Sequence, residues 1–236
     1  MFSNSKPAAF ALNTTVRRYY VDAFFIRQAS RLSGRVLDLG GNKIRKRGRF
    51  DIEHYGLTVQ YANLVPDKKP DFLCDAAAIA VRREAYDAVI CAELFEHVRC
   101  PEIVLREVHR VLKPAGTLLI TAPFLCRIHG DPHDFGRYTG RFWQETLEEI
   151  GFDEVVIEPQ GLFFSVMADF LKQYAEKVGF PRPFGRLARR LMPKFQQWAL
   201  RREQEPSAHA SAFLTSFTTG FGISARKRNA CVRLPT

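Results

Sequence analysis

Leu118-Leu119-Ile120 is apolar at every position, and it follows a stretch of helical periodicity from Pro101 to Leu112 that ends in Lys113-Pro114-Ala115-Gly116. A strand with no polar alternation must be covered on both faces, which is the situation of a central strand in a parallel sheet flanked by helices. A basic residue, a proline and a glycine in that order are what stops a helix before such a strand. The chain is therefore expected to alternate helices with buried strands, the pattern of an α/β protein.

The rest of the sequence fits that pattern. A leading helix is expected from Thr14 to Leu32, with Val16, Tyr20, Phe24 and Ala23 or Arg27 near one face and Thr14 or Thr15 as cap. Strands are expected at Val36–Leu39, Leu57–Asn63, Asp71–Cys74, Tyr86–Ala92 and Thr117–Thr121. Thr139 caps a predicted helix that Gly151 closes, before an alternating strand over Phe152–Glu158. Residues 162–214 read as helical and basic, interrupted by Pro181, Pro183 and Pro193, and Phe217–Arg226 reads as the last strand.

With 46% apolar and 25% charged residues, the 236-residue chain is not disordered, collagenous or a disulfide scaffold. Lysine and arginine number 35 against 25 acidic residues, a formal charge of +10. The excess gathers at Arg45, Lys46, Arg47 and Arg49, at Arg182, Arg186, Arg189, Arg190, Lys194, Arg201 and Arg202, and at Arg226, Lys227 and Arg228. Such clusters favour anionic partners, whether phosphorylated substrates, acidic glycans, anionic lipid or nucleic acid, and charge alone chooses none of them. Cys74, Cys91, Cys100, Cys126 and Cys231 are odd in number and form no CxxC pair, which reads as buried, reduced thiols. Met1–Asn13 lacks the pattern of a signal peptide and no apolar window spans a membrane, so a cytoplasmic address is expected.

In an open α/β sheet, ligands bind beyond the carboxyl ends of the strands where the strand order reverses. The turn after the first strand, Asp38-Leu39-Gly40-Gly41-Asn42, allows close backbone approach and positive φ. Taken alone, a strand-to-glycine turn occurs in many folds.

Order and spacing add to it. VLDLGGN at 36–42, CDA at 74–76, YDAVICAELFEHV at 86–98 and HRVLKPAGTLLITAP at 109–123 resemble four ordered motifs of the class I methyltransferases that use S-adenosylmethionine, particularly the type 11 group. The resemblance covers roughly Arg35 to Glu158. It implies a Rossmann-like, mostly parallel seven-stranded sheet flanked by helices, here with a helical basic insert before the last strand. One domain is expected over 1–236: a leading helix to 34, a cofactor-binding core over 35–160, the insert over 161–214, and the last strand and tail over 215–236.

The resemblance also implies roles. Asp38 faces the cationic methionine end of the cofactor, Gly40, Gly41 and Asn42 make room for it, and Asp75 recognises adenine unless it caps a helix over Ala76–Ile79. Most relatives carry glycine at the position of Asn42 and an acid at the end of the second strand, where Asn63 stands and a carboxylate holds the ribose hydroxyls. Asn63 lacks that charge assistance, so Asn63→Asp is expected to tighten cofactor binding. Glu93, Glu96 and His97 fall at the mouth of the expected cleft, Glu93 as a candidate cofactor contact and His97 as a candidate for substrate binding, unless Glu96 and His97 cap or brace the next helix.

Pro123 to Tyr138 follows the fifth strand and includes His129-Gly130-Asp131-Pro132-His133-Asp134. A loop this polar on a rigid scaffold usually carries function. A similar loop occurs in a subgroup of the type 11 enzymes, many found with polysaccharide or other cell-envelope biosynthesis. Methyl transfer to oxygen or nitrogen releases a proton, so His133, oriented by Asp134 or Asp131, is the first candidate base and His129 the second. Asp131, Arg137 and Tyr138 join His97 as candidate substrate contacts, or the loop's charges pair simply to fix it. His129, His133 and Asp134 have chelating spacing, but Pro132 breaks helical continuity and no metal is expected. PRPFGRLARRLMPKFQQWALRR, 181–202, places Phe184, Leu187, Leu191 and Phe195 at near-helical spacing among arginines, suited to an anionic membrane surface or to ordinary packing.

The expected activity is methyl transfer from S-adenosylmethionine to oxygen, less readily nitrogen, of a small or glycan-type acceptor. The alternatives are a lipid, quinone or RNA methyltransferase, or a noncatalytic cofactor-binding or scaffold protein. RNA is disfavoured because no appended binding module is recognisable.

Overall fold

The computed structural model describes residues 14–44, 48–130, 133–181 and 184–229. Met1–Asn13, Arg45, Lys46, Arg47, Asp131, Pro132, Arg182, Pro183 and Cys231 lie outside the described residues, as do the side chains of Phe184 and Arg189. The described chain divides into two compact units, residues 21–159 with 220–229, and residues 14–20 with 160–219.

The larger unit is built on seven strands: β1 (Arg35–Leu39), β2 (Thr58–Asn63), β3 (Phe72–Leu73), β4 (Tyr86–Ala92), β5 (Leu112–Pro123), β6 (Phe152–Pro159) and β7 (Gly220–Lys227). They form one open sheet in the order β3-β2-β1-β4-β5-β7-β6. β1 is parallel to β2 and β4, and β4 to β5, while β7 runs antiparallel between β5 and β6. This is the Rossmann-like, mostly parallel sheet that the sequence pattern predicts. Strand order reverses between β1 and β4, so a ligand crevice is expected beyond the carboxyl ends of those two strands.

β4 shows why its segment carries no alternation. Val89 and Cys91 enter one core with Leu118, Ile120 and Trp143, whereas Ala88 and Ile90 enter another with Phe24, Phe25 and Leu119. The first core is covered by α2 (Pro101–Val111) and α3 (Gly140–Ile150), and the second by residues 21–29 of α1 (Val16–Ala29). Both caps expected on hydroxyls are made: Thr15 Oγ1 accepts from Arg18 N, and Thr139 Oγ1 from Phe142 N.

Four local expectations are corrected. Lys113–Gly116 ends α2 but then runs on as the start of β5, with Ala115 at φ 58° and a register shift between Tyr86 and Ala88 absorbing the excess length. The buried positions of α1 include Val21 and Phe25 as well as Val16 and Phe24, a wider face than the predicted stripe. Of the four described cysteines only Cys91 is buried; Cys74 and Cys126 are half-buried and Cys100 is exposed, and these four are free thiols. Finally, Pro193 sits inside a continuous helix rather than interrupting one.

The smaller unit contains α4 (Phe163–Lys177), α5 (Phe184–Glu203), α6 (Pro206–His209) and α7 (Ala212–Thr215). Buried Glu203, at the end of α5, accepts hydrogen bonds from Leu162 N (2.8 Å) and Ser165 N (2.7 Å), placing a carboxylate at the positive start of α4. α5 buries Gln196, Ala199 and Leu200, while Leu187 (55% exposed) and Leu191 (48%) face outward among arginines. No helix among the described residues is long and apolar enough to cross a membrane.

Candidate active site

Two segments meet the switch point. Gly40 continues β1 at φ 84°, and its N–H donates to Ala62 O on β2 (2.8 Å). A Cβ on Gly40 would lie 2.9 Å from Leu94, and one on Gly41 would lie 2.2 Å from the Asp38 carboxylate. The turn is thus closed around Asp38, and only glycine leaves that carboxylate its place. Beyond β4, Glu93 holds φ 51°, a strained value for a residue with a side chain, while its N–H donates to Thr121 O on β5 (2.9 Å). The half-buried Glu93 carboxylate stands next in the chain to the Leu94 that packs on Gly40.

Asn63 is bound to the glycine turn by its own amide. Nδ2 donates to Gly40 O (2.8 Å) and to Gly41 O (3.0 Å), and Oδ1 accepts from Val65 N (2.9 Å). Both amide protons are therefore committed to backbone, and Oδ1 has a second lone pair beyond the one that takes Val65 N. Asp75 is exposed after β3, and its Oδ1 accepts from Ala77 N (2.9 Å), so it caps a turn over Asp75–Ala78 in place of a helix. Asn42 is half-buried in the loop just after the turn.

The loop after β5 is organised by charge. Asp134, with 6% of its side chain exposed, takes a bidentate pair from Arg137 and accepts from His129 N (2.8 Å). Arg137 beside it holds the Asp134 carboxyl well down, to about 2, and Asp134 in return raises the guanidinium. Arg137 also donates to Gly136 O (2.8 Å). Tyr138 stacks on Phe142 with centroids 4.5 Å apart, and burial pushes its hydroxyl pKa up. The carboxylate expected to orient His133 thus serves Arg137 and His129 instead, with Asp134 Oδ2 3.6 Å from His129 Nδ1.

The exposed ring of His133 lies against Phe135 (5.6 Å), and its contribution to the cluster is a backbone carbonyl. His97 Nδ1 donates to His133 O at 2.6 Å, and Phe135 N donates to Glu96 O at 2.7 Å. These bonds tie the segment after β4 to the loop after β5. They bring His97 and His129 edge to face, centroids 5.4 Å apart, with Glu96 Oε1 3.6 Å from His97 Nε2. Sequence spacing does not show this pairing. Its signal is that Glu96-His97 and His129 follow β4 and β5, neighbours in the sheet.

Residues 46–120 match the model of a methyltransferase domain family, Methyltransf_11. No protein of curated function matches the sequence. Among solved structures, the [4+2]-cyclase SpnF is 17% identical with a TM-score of 0.56, the likeness covering 94% of this chain and 86% of that one. A SAM-dependent methyltransferase from Archaeoglobus fulgidus is 16% identical with a TM-score of 0.54, over 89% and 94% of the two chains. A phosphoethanolamine N-methyltransferase from Haemonchus contortus, solved with S-adenosyl-L-methionine, is 15% identical with a TM-score of 0.53, over 90% of this chain and 57% of that one. These likenesses give the fold, and the match over residues 46–120 is to a methyltransferase domain.

Proposed function

We propose that the protein transfers the methyl group to a hydroxyl oxygen of a small polar or glycan-type acceptor, and that the cluster around His97 and His129 handles the acceptor. S-adenosylmethionine supplies a methyl carbon on cationic sulfur, and its transfer to a hydroxyl leaves S-adenosylhomocysteine and one proton. The residues at the switch point fit that cofactor, because Asp38 keeps a carboxylate inside a turn that two glycines leave open. In this reading Asp38, Gly40, Gly41 and Asn42 hold the methionine end. Glu93 and the remaining Oδ1 lone pair of Asn63 serve the ribose side, and Asp75 the adenine side.

The observation that carries the acceptor side is the edge-to-face pair of imidazoles with Glu96 beside them. A carbonyl oxygen can only accept, so His97 carries its proton on Nδ1, and Arg127 O at 3.2 Å sets the same tautomer in His129. In this reading Nε2 of each ring is the side turned to the acceptor group. Arg137 and Tyr138 are the adjacent substrate contacts in this reading, and the exposed His133 imidazole carries protons onward to solvent. Support for a glycan acceptor comes from the loop's resemblance alone; an envelope-polysaccharide role rests on the same ground.

Calorimetric titration with S-adenosylmethionine and S-adenosylhomocysteine tests the cofactor half. Micromolar binding that Asp38→Ala loses is the expected result, and a folded protein that binds neither compound overturns the reading. A screen of hydroxyl acceptors, scored by S-adenosylhomocysteine release in wild type and His129→Ala, then tests the acceptor half. For the basic helix, Leu187, Leu191 and half-exposed Trp198 stand among Arg186, Arg190, Lys194 and Arg201, which suits an anionic membrane surface. Co-sedimentation with anionic but not with neutral vesicles is expected, and equal recovery with both ends that idea.

A further inference from the structure

We infer that Glu96, His97 and His129 form a binding site for a divalent transition-metal cation on the acceptor side of the cleft. The inference deepens the proposed function by naming what the imidazole cluster holds. One ligand atom from each of the three residues lies within 4.8 Å of the other two. A first-row cation bound at ordinary Zn–N and Zn–O lengths sets its ligand atoms about 3 to 3.5 Å apart, so small side-chain rotations close the set.

Two independent features point to a cation. The first is the outer shell. Imidazoles that ligate metals commonly give the other ring N–H to a carbonyl or carboxylate, which fixes the tautomer and the ring plane. Both rings do this here: His97 Nδ1 donates to His133 O at 2.6 Å, and His129 Nδ1 has Arg127 O at 3.2 Å and Asp134 Oδ2 at 3.6 Å. Asp134 is itself anchored by Arg137, so the outer shell is braced in turn. The second is Glu96, whose side chain is 1% exposed while its Oε1 is 3.6 Å from His97 Nε2. A carboxylate brought into a nearly dry site beside two imidazoles matches the two-histidine, one-carboxylate donor set of transition metals.

The donor set also sets a preference. Imidazole nitrogen suits zinc, cobalt, nickel and iron, whereas magnesium asks for oxygen ligands in octahedral geometry. Three protein ligands leave coordination positions for an oxygen of the acceptor. A hydroxyl held there is a stronger acid than in water and releases its proton to solvent at neutral pH.

The test is metal content of the purified, dialysed full chain after exposure to Zn2+, together with the visible absorption of Co2+ added to metal-free protein. One equivalent retained, with Co2+ bands of imidazole coordination, is expected, and excess Mg2+ should not displace it. His129→Asn and Glu96→Gln should each weaken Co2+ binding roughly tenfold or more, while His54→Asn, altering an exposed histidine outside the cluster, should not. His129 is half-exposed, so its variant is the one expected to fold even if the buried Glu96 variant does not. Absence of stoichiometric metal, or unchanged affinity in a folded His129→Asn protein, overturns the inference. S-adenosylhomocysteine titration of the same samples separates the two readings. Homocysteine-nucleoside binding without metal removes only the cation site, and metal binding without it removes only the proposed function.

Discussion

The loop after β1 and the loop after β5 both stand at the carboxyl edge of the parallel strands, yet different forces hold them. The first is fixed by uncharged hydrogen bonds: Gly40 N to Ala62 O, and the Asn63 amide to two carbonyls of the turn. The second is fixed by an ion pair and by imidazole tautomers, through Asp134 with Arg137 and His97 with His133 O. Uncharged bonds are indifferent to pH across the physiological range, whereas carboxylate and imidazole contacts respond to protons and metals. The loop after β1 is therefore a fixed frame, and the loop after β5 is where conditions act.

The largest effect expected on ligand binding is on the fixed side. Gly41→Ala puts a methyl group 2.2 Å from an Asp38 oxygen, and neither the turn nor the carboxylate can stay in place. Affinity for S-adenosylhomocysteine should fall at least about a hundredfold, roughly 2.7 kcal/mol, by calorimetry. An alanine that binds as well as wild type would mean that the turn does not hold the cofactor.

On the charged side, Arg137→Ala leaves the Asp134 carboxylate with little solvent and without its strongest partner. Removing one member of a mostly buried pair costs about 3 kcal/mol, read as a lower urea midpoint at unchanged slope. The double replacement Asp134→Asn with Arg137→Ala should recover part of that loss, because no charge is then stranded.

The same pair sets an acid limb. The folded pKa of Asp134, about 2, lies below its ordinary 3.8, so the stabilisation is complete above the unfolded value and fades as pH falls toward 2. Its size is about 2 kcal/mol. The stability difference between wild type and Asp134→Asn should therefore be constant from pH 7 to about pH 5 and shrink below it, by urea titration at each pH. A difference that ignores pH would remove the ion pair as the loop's anchor.

Strands and helices of the larger unit were legible because hydrophobic period reports burial directly: β4 and α2 fall where the pattern puts them. The extension of β5 through Lys113–Gly116 was not legible, since Pro and Gly mark an end of helix and say nothing of a bulge that resumes pairing. Pro193 misled for a related reason, as an interior proline removes one helical bond but tertiary packing can still carry the helix through. In the site, the glycine turn could be read from local rules, whereas Asp134's choice of partner is a competition among side chains. His133 and Arg137 are both near in sequence, and a bidentate guanidinium beats an imidazole for a carboxylate.

Asn63→Asp sharpens the contrast between the two loops at the smallest expected cost. Read from sequence, an acid there restores the charge that relatives use and tightens cofactor binding. In the structure, Nδ2 faces two carbonyl oxygens at 2.8 and 3.0 Å, and an aspartate oxygen in that place faces them as an acceptor opposite acceptors. The side chain must swing out, and the turn loses the two bonds that set Gly40 and Gly41. A gain from charge assistance at the ribose is then set against a loosened frame, and loss of two committed donors outweighs one strengthened contact. Affinity for S-adenosylhomocysteine should fall about tenfold, or about 1.4 kcal/mol. Tighter binding in calorimetry would show that the frame tolerates charge, and that the two loops differ less than their hydrogen bonds imply.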